Sequence, residues 1–210
     1  MSSSQFAVLV PVKPPALGKS RLVGTSEGLR RELAAAFALD TVTACLAAGR
    51  VGAVLAVTDD ASFSRRLTEA GCAAIPDGVT GDLNATLRQA AAEAHRRWPA
   101  LVPAAVCADL PALRPDDLDA ALAAAPAGRP GFVADAAGVG TTVYTAPYDE
   151  FDPRFGVGSR LMHLGTGAVE IDGDLRTLRH DVDDLDDLRR VLDLGVGAHT
   201  AAAAETVRTQ

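Results

Sequence analysis

Aromatic residues make up only 4% of this 210-residue chain, so its apolar mass is Ala, Val and Leu. That composition suits helices laid over a sheet rather than an aromatic-rich β-sandwich. Cysteine is scarce and odd in number: Cys45, Cys72 and Cys107 lie far apart and form no CxxC pair. This excludes a disulfide framework and a cysteine zinc site, leaving buried thiols in a reducing compartment. His95, His163, His180 and His199 share no ligand spacing and offer no Ser-His-Asp or Cys-His order, so neither zinc nor a histidine-based nucleophile is expected. An excess of positive charge is also missing. With a net charge of -7 and a pI near 5.0, a broad nucleic-acid-binding face is excluded, though a local cationic cluster for small phosphates is not. No run approaches the roughly 18 uninterrupted apolar residues of a membrane span. The opening Met-Ser-Ser-Ser-Gln lacks the charged segment of a signal peptide, so a cytoplasmic protein is expected.

Short β-branched runs alternate with longer Ala/Leu/Arg segments, the pattern of an α/β fold with a mostly parallel sheet flanked by helices. Strands are read at 6–12, 53–58, 73–75 and 102–107, and helices at 27–48, at 61–70 capped by Asp59-Asp60, from a cap at Asp82 to Arg97, and at 115–125. From Phe132 the texture changes to short strands at 132–135, 141–145 and 168–171, separated by glycine turns, which suggests antiparallel members. Helices are expected from Ser159 and over 185–194. Residues 1–194 are read as one domain. The Ala-, Gly- and Thr-rich stretch 195–210 has no periodicity and is expected to lack order.

Four segments carry chemistry. The first follows the strand Phe6-Ala7-Val8-Leu9-Val10, where a proline-stiffened loop holds Lys13, Lys19 and Arg21. Strand carboxyl ends are where open α/β sheets bind ligands, so Lys19 and Arg21 are read as phosphate contacts, with Lys13 a third candidate. Gly18-Lys19-Ser20 is not a P-loop, because Lys13 occupies the position of its first glycine and Pro14 and Pro15 remove N–H donors. In the second segment, an apolar strand ends on Asp109-Leu110-Pro111. The next helix has its own start at Pro115-Asp116, so Asp109 is read as a metal ligand and not as a helix cap.

In the third segment, His180-Asp181-Val182-Asp183-Asp184, an extended chain would turn Asp181 and Asp183 to one side. Asp181, then Asp183, could join Asp109 around one ion, while Asp184 and Asp187 read as an N-cap and a first-turn acid. The fourth pairs Gly138-Val139-Gly140-Thr141-Thr142 with Phe155-Gly156-Val157-Gly158-Ser159. These turns offer N–H and hydroxyl donors to a second anion, although Ser159 could also cap its own helix.

In this order, with Gly81-Asp82-Leu83-Asn84 between the first two, the segments resemble the phosphoenolpyruvate/2-phospho-L-lactate guanylyltransferase family of deazaflavin (coenzyme F420) biosynthesis. The resemblance spans Val10 to about Leu192. It implies a Rossmann-like nucleotidyltransferase fold of the glycosyltransferase-A type, with GTP as co-substrate and Mg²⁺ as metal. It implies that Thr141, Gly156 and Ser159 hold a small phosphorylated carboxylic acid, that Asp109 and Asp181 hold metal, and that Gly81, Asp82 and Asn84 lie near the guanine. A downstream transferase that takes an unstable product is the implied partner. A sugar-phosphate or cytidylyl transferase of the same fold, or a non-catalytic nucleotide sensor, is the alternative.

Overall fold

The computed structural model describes residues 5–13, 26–79 and 81–208. Among these, seven strands form one sheet: β1 (Phe6–Pro11), β2 (Val51–Val57), β3 (Ala73–Ile75), β4 (Val102–Val106), β5 (Gly131–Ala134), β6 (Thr141–Thr145) and β7 (Val169–Glu170), in the order β3-β2-β1-β4-β6-β5-β7. The β3-β2-β1-β4 half is parallel. β6 runs antiparallel to both β4 and β5, and β7 is parallel to β5. The change of texture at Phe132 therefore marks where the chain leaves βαβ winding. Every residue of β5 and β6 is buried, so these strands lack the alternation of a half-exposed antiparallel sheet.

Helix α3 (Leu83–Arg97) covers one face of the sheet through Leu87, Ala90, Ala91 and Ala94. The other face takes α1 (Glu27–Ala47), α2 (Ala61–Glu69) and α4 (Pro115–Ala124). Sequence caps are used as expected, Asp60 for α2 and Asp82 for α3. Asp184 caps α7 (Leu185–Leu194) in a reciprocal capping box with Asp187. Burial pushes the Cys45 thiol up to about 12 and the Cys72 thiol to about 11, which makes both unreactive at neutral pH.

Residues 195–208 depart from expectation. A helix, α8 (Ala198–Arg208), packs on α1. Helix α1 is buried on two sides, which is why its apolar pattern is nearly continuous. Ala35, Ala38, Leu39 and Val42 meet the sheet, while Leu29, Leu33, Ala36 and Phe37 meet α7 and α8. Between them Asp40, almost fully buried, accepts from the backbone N–H groups of His199 (3.1 Å) and Thr200 (2.8 Å) and so caps α8 from 159 residues away in sequence. A Cβ on Gly197 would sit 2.3 Å from the Asp40 carboxyl carbon, so only glycine allows this approach. Asp40→Ala should cost about 1–2 kcal/mol, the scale of a lost N-cap. Urea denaturation checks this, and an unchanged midpoint would mean the cap contributes nothing.

Candidate active site

Parallel strands β1 and β4 are neighbours, but the chain leaves β1 through α1 on one face of the sheet and reaches β4 through α3 on the other. The crevice beyond their carboxyl ends is thus the topological switch point, where open α/β sheets bind ligands. A small apolar pocket lies there, lined by Pro11, Leu83, Leu87, Cys107 and Phe155 among others. Lys13, exposed, follows β1. Lys19 and Arg21 lie outside the described residues.

Asp109 follows β4 in a turn that the protein fixes from below. The buried Thr41 hydroxyl of α1 accepts from Leu110 N–H (3.1 Å) and lies 3.2 Å from the Ala108 carbonyl. On its other side, the Asp109 carbonyl accepts from Val182 N–H at 3.0 Å. That single backbone bond joins two segments more than seventy positions apart and brings their side chains together. Carboxylate oxygens of Asp109, Asp181 and Asp183 all come within 4.8 Å of one another. The segment carrying Asp181 is not the regular extended run that the spacing suggests. It follows a short helix, α6 (Arg176–Arg179), and Val182 is buried between the two acids. Asp117 of α4 holds α6 by accepting from Thr177 N–H (2.9 Å) and Thr177 Oγ1 (2.6 Å).

Burial, then repulsion from Asp109, Asp183 and Asp135, pushes the Asp181 carboxyl from its ordinary 3.8 up to about 7. A buried carboxyl that resists ionising beside other acids is one that a divalent cation would relieve, so these oxygen donors fit Mg²⁺ or Mn²⁺ by donor type. Asp135, which the sequence reading left as a strand residue, adds to that field. Its own oxygens accept from Val139 N–H (2.9 Å) and Gly140 N–H (2.8 Å), shaping the turn that leads into Thr141. Arg179 ties this turn to the acidic segment by donating to the Ala134 and Ile171 carbonyls.

Thr141 is buried, with its hydroxyl 3.0 Å from His163 Nδ1. Gly156, Val157 and Gly158 lead into α5 (Ser159–Gly165). The cap of α5 is Gly158 in the left-handed region, φ 70°, and not Ser159, which is the first helical residue and is itself buried. Two of the residues expected near the base have other work. Asp82 accepts from Asn84 N–H and Ala85 N–H as a helix cap. The Asn84 amide spans to Phe155, accepting from its N–H (2.8 Å) and donating to its carbonyl (3.0 Å). It therefore acts as a clamp on the loop before Gly156. Gly81, with φ 89°, makes the positive-φ turn before this cap. The clamp leads to a prediction: Asn84→Ala should cost about 1–2 kcal/mol through a freed peptide group, and should weaken any ligand of the Gly156 loop more than one in the apolar pocket. Isothermal titration of both ligands checks it, and equal weakening would contradict the assignment.

A family model described as "Guanylyl transferase CofC like" matches residues 6–207. The chain belongs to that family. It is 50% identical over 207 residues to a protein of Streptomyces scabiei (strain 87.22) named phosphoenolpyruvate guanylyltransferase, covering 95% of this chain and 96% of that one. Among solved structures, it resembles a putative nucleotide-diphospho-sugar transferase from Desulfovibrio desulfuricans G20. The TM-score is 0.71 at 16% identity, over 98% of this chain and 96% of the other. It also resembles Rv0371C from Mycobacterium tuberculosis H37Rv, a structure in complex with manganese. Here the TM-score is 0.54 at 22% identity, over 90% and 99% of the two chains. These likenesses establish the nucleotide-diphospho-sugar transferase fold for this CofC-like chain. Among its described residues no helix is long and apolar enough to cross a membrane.

Proposed function

We propose that this CofC-like protein transfers GMP from GTP to the phosphate of phosphoenolpyruvate and releases pyrophosphate, as a cytoplasmic step of coenzyme F420 biosynthesis. The observation that carries the reading is the meeting of Asp109, Asp181 and Asp183 beside the switch-point pocket. An apolar slot next to a carboxylate cluster suits a nucleotide whose base is buried and whose phosphates face metal ligands.

In the reaction, an oxygen of the acceptor's phosphate forms a bond to the α-phosphorus of GTP, and the bond from that phosphorus to the β-phosphate oxygen breaks. A phosphate monoester has its second pKa near 6, so the attacking oxygen is already ionised at neutral pH and no proton has to be removed. The histidines agree with this. His163 is buried and bonded at both ring nitrogens, His180 Nδ1 lies 2.8 Å from the Arg176 carbonyl, and His95 stacks on Tyr148. None of these three is posed as a general base.

Repulsion between two phosphate groups at close range costs several kcal/mol at intermediate dielectric, on the order of 4 kcal/mol per charge pair at 4 Å. Mg²⁺ held by Asp109 and Asp181, with Asp183 beside them, would supply charge neutralisation for the triphosphate and the leaving pyrophosphate. Lys13, with Lys19 and Arg21 of the segment outside the described residues, would be the phosphate contacts adding positive charge to that surround. Thr141, Gly156 and Ser159 hold the acid, and the pocket bordered by Leu83 takes the guanine. Positioning and electrostatics then account for the rate. The product, a diester joining enolpyruvate to guanosine diphosphate, would pass to a downstream transferase.

Pyrophosphate release from GTP with phosphoenolpyruvate, 2-phospho-L-lactate or 3-phosphoglycerate tests the reading. Fastest turnover is expected with phosphoenolpyruvate. Release only with CTP or a sugar phosphate would replace it with another transferase of this fold, and GTP binding without release under any acceptor would make the protein a sensor.

A further inference from the structure

His163 contributes nothing to the reaction as written, yet its position is costly. It is fully buried, with its ring against Phe132, Tyr144 and Phe155 at centroid distances of 5.3, 4.7 and 5.6 Å. Nε2 lies 2.9 Å from the Arg154 backbone nitrogen. A backbone N–H can only donate, so Nε2 must be the bare, accepting nitrogen. A neutral imidazole then carries its proton on Nδ1, and that nitrogen faces Thr141 Oγ1 at 3.0 Å. The ring must donate and the threonine oxygen must accept. Burial, with the Arg154 cation adding to it against the Ser159 carbonyl, holds the imidazolium form down at about 4, so this arrangement persists across neutral pH.

A threonine hydroxyl is ordinarily a rotor that either donates or accepts. Once its oxygen accepts from Nδ1–H, the hydroxyl hydrogen is directed away from the ring. The same imidazole touches each part of the surface assigned above to the acid. It accepts from the peptide two residues before Gly156, it sits one helical turn after Ser159, and it fixes Thr141.

We propose that His163 is a positioning residue of the acid-binding site. Its Nδ1–H locks the Thr141 hydroxyl as a donor toward the anionic oxygens of the phosphorylated acid, while its Nε2 holds the Arg154–Gly156 loop in place. This rests on Thr141 being an acid contact, and it makes the acid site a preorganised donor array rather than an adaptable one. An anion, which can only accept, is favoured over a neutral hydroxylated acceptor.

Two substitutions divide the role. His163→Asn keeps a donor near the Nδ1 position, whereas His163→Gln keeps an acceptor near Nε2 and loses the donor to Thr141. His163→Gln should raise KM for phosphoenolpyruvate about tenfold, the scale of one lost hydrogen bond to a charged ligand, with KM for GTP within about twofold. His163→Asn should recover most of that loss. In the Thr141→Val background His163→Gln should add little, because both changes remove one donor. Nitrogen-15 NMR of the wild-type ring reads the lock directly, and remains decisive if either variant fails to fold. Protonation at Nδ1 supports the inference and protonation at Nε2 overturns it. Equal rises in both KM values, or full additivity with Thr141→Val, would also overturn it. If Thr141→Val alone leaves the acid KM unchanged, the acid assignment fails first and takes this inference with it. A normal His163→Gln beside an impaired Thr141→Val sinks only the histidine's role.

Discussion

Asp109→Asn is expected to lower pyrophosphate release from GTP about a thousandfold at saturating Mg²⁺, with little change in fold. The substitution keeps shape and removes one charge from the group of three carboxylates. What holds the turn is unaffected, since Thr41 binds backbone atoms on either side of Asp109 and Val182 binds its carbonyl. The effect on rate should fall on the charged transition state, where single electrostatic contacts are worth roughly a hundredfold to a thousandfold. Steady-state kinetics with a circular dichroism control would show it. Turnover within about tenfold of wild type would remove Asp109 from the catalytic group.

Asp181 should give the second large effect, on stability, because its carboxyl is pushed from 3.8 up to about 7 in the fold. Below pH 4 it is protonated in both the folded and unfolded chain and costs nothing. Between about pH 4 and 7 the unfolded chain loses the proton while the folded chain keeps it, so metal-free stability falls through that window and stays low above it. The loss is on the order of a few kcal/mol. Asp181→Asn removes it, and should raise the metal-free melting temperature at pH 8 by about 5–10 °C while flattening the slope between pH 4 and 7. The same change should abolish stabilisation by Mg²⁺, which in the wild type follows mass action. Thermal melts across pH, with chelator or with Mg²⁺, measure both halves. A flat wild-type profile, or a magnesium shift that survives in the variant, would contradict the account.

The sequence makes the βα alternation of the first 125 residues legible because each strand there is a short apolar run and the helices carry local start signals, caps at Asp60 and Asp82 and Pro115 at the start of α4. Helix α8 is illegible for the converse reason. Its cap is Asp40, and its apolar partners are on α1. The stripe Leu29, Leu33, Ala36, Phe37 already shows a helix with an apolar outer face, and such a face needs a cover. The acidic cluster is legible as residue types, since Asp109 ends a buried strand with no helix to cap. Its assembly depends on the Val182 to Asp109 backbone bond, which has no sequence signature. His163 is the clearest omission. Searching for ligand spacing asks what a histidine binds, not which of its nitrogens the fold has already committed.

Anomalous diffraction from crystals grown with Mn²⁺ and GTP tests the central claim most directly. The account predicts a metal peak contacted by carboxylate oxygens of both Asp109 and Asp181, at roughly 2.0–2.3 Å, and facing the nucleotide's phosphates. Manganese bound elsewhere, or held by only one of these two carboxylates, would contradict it.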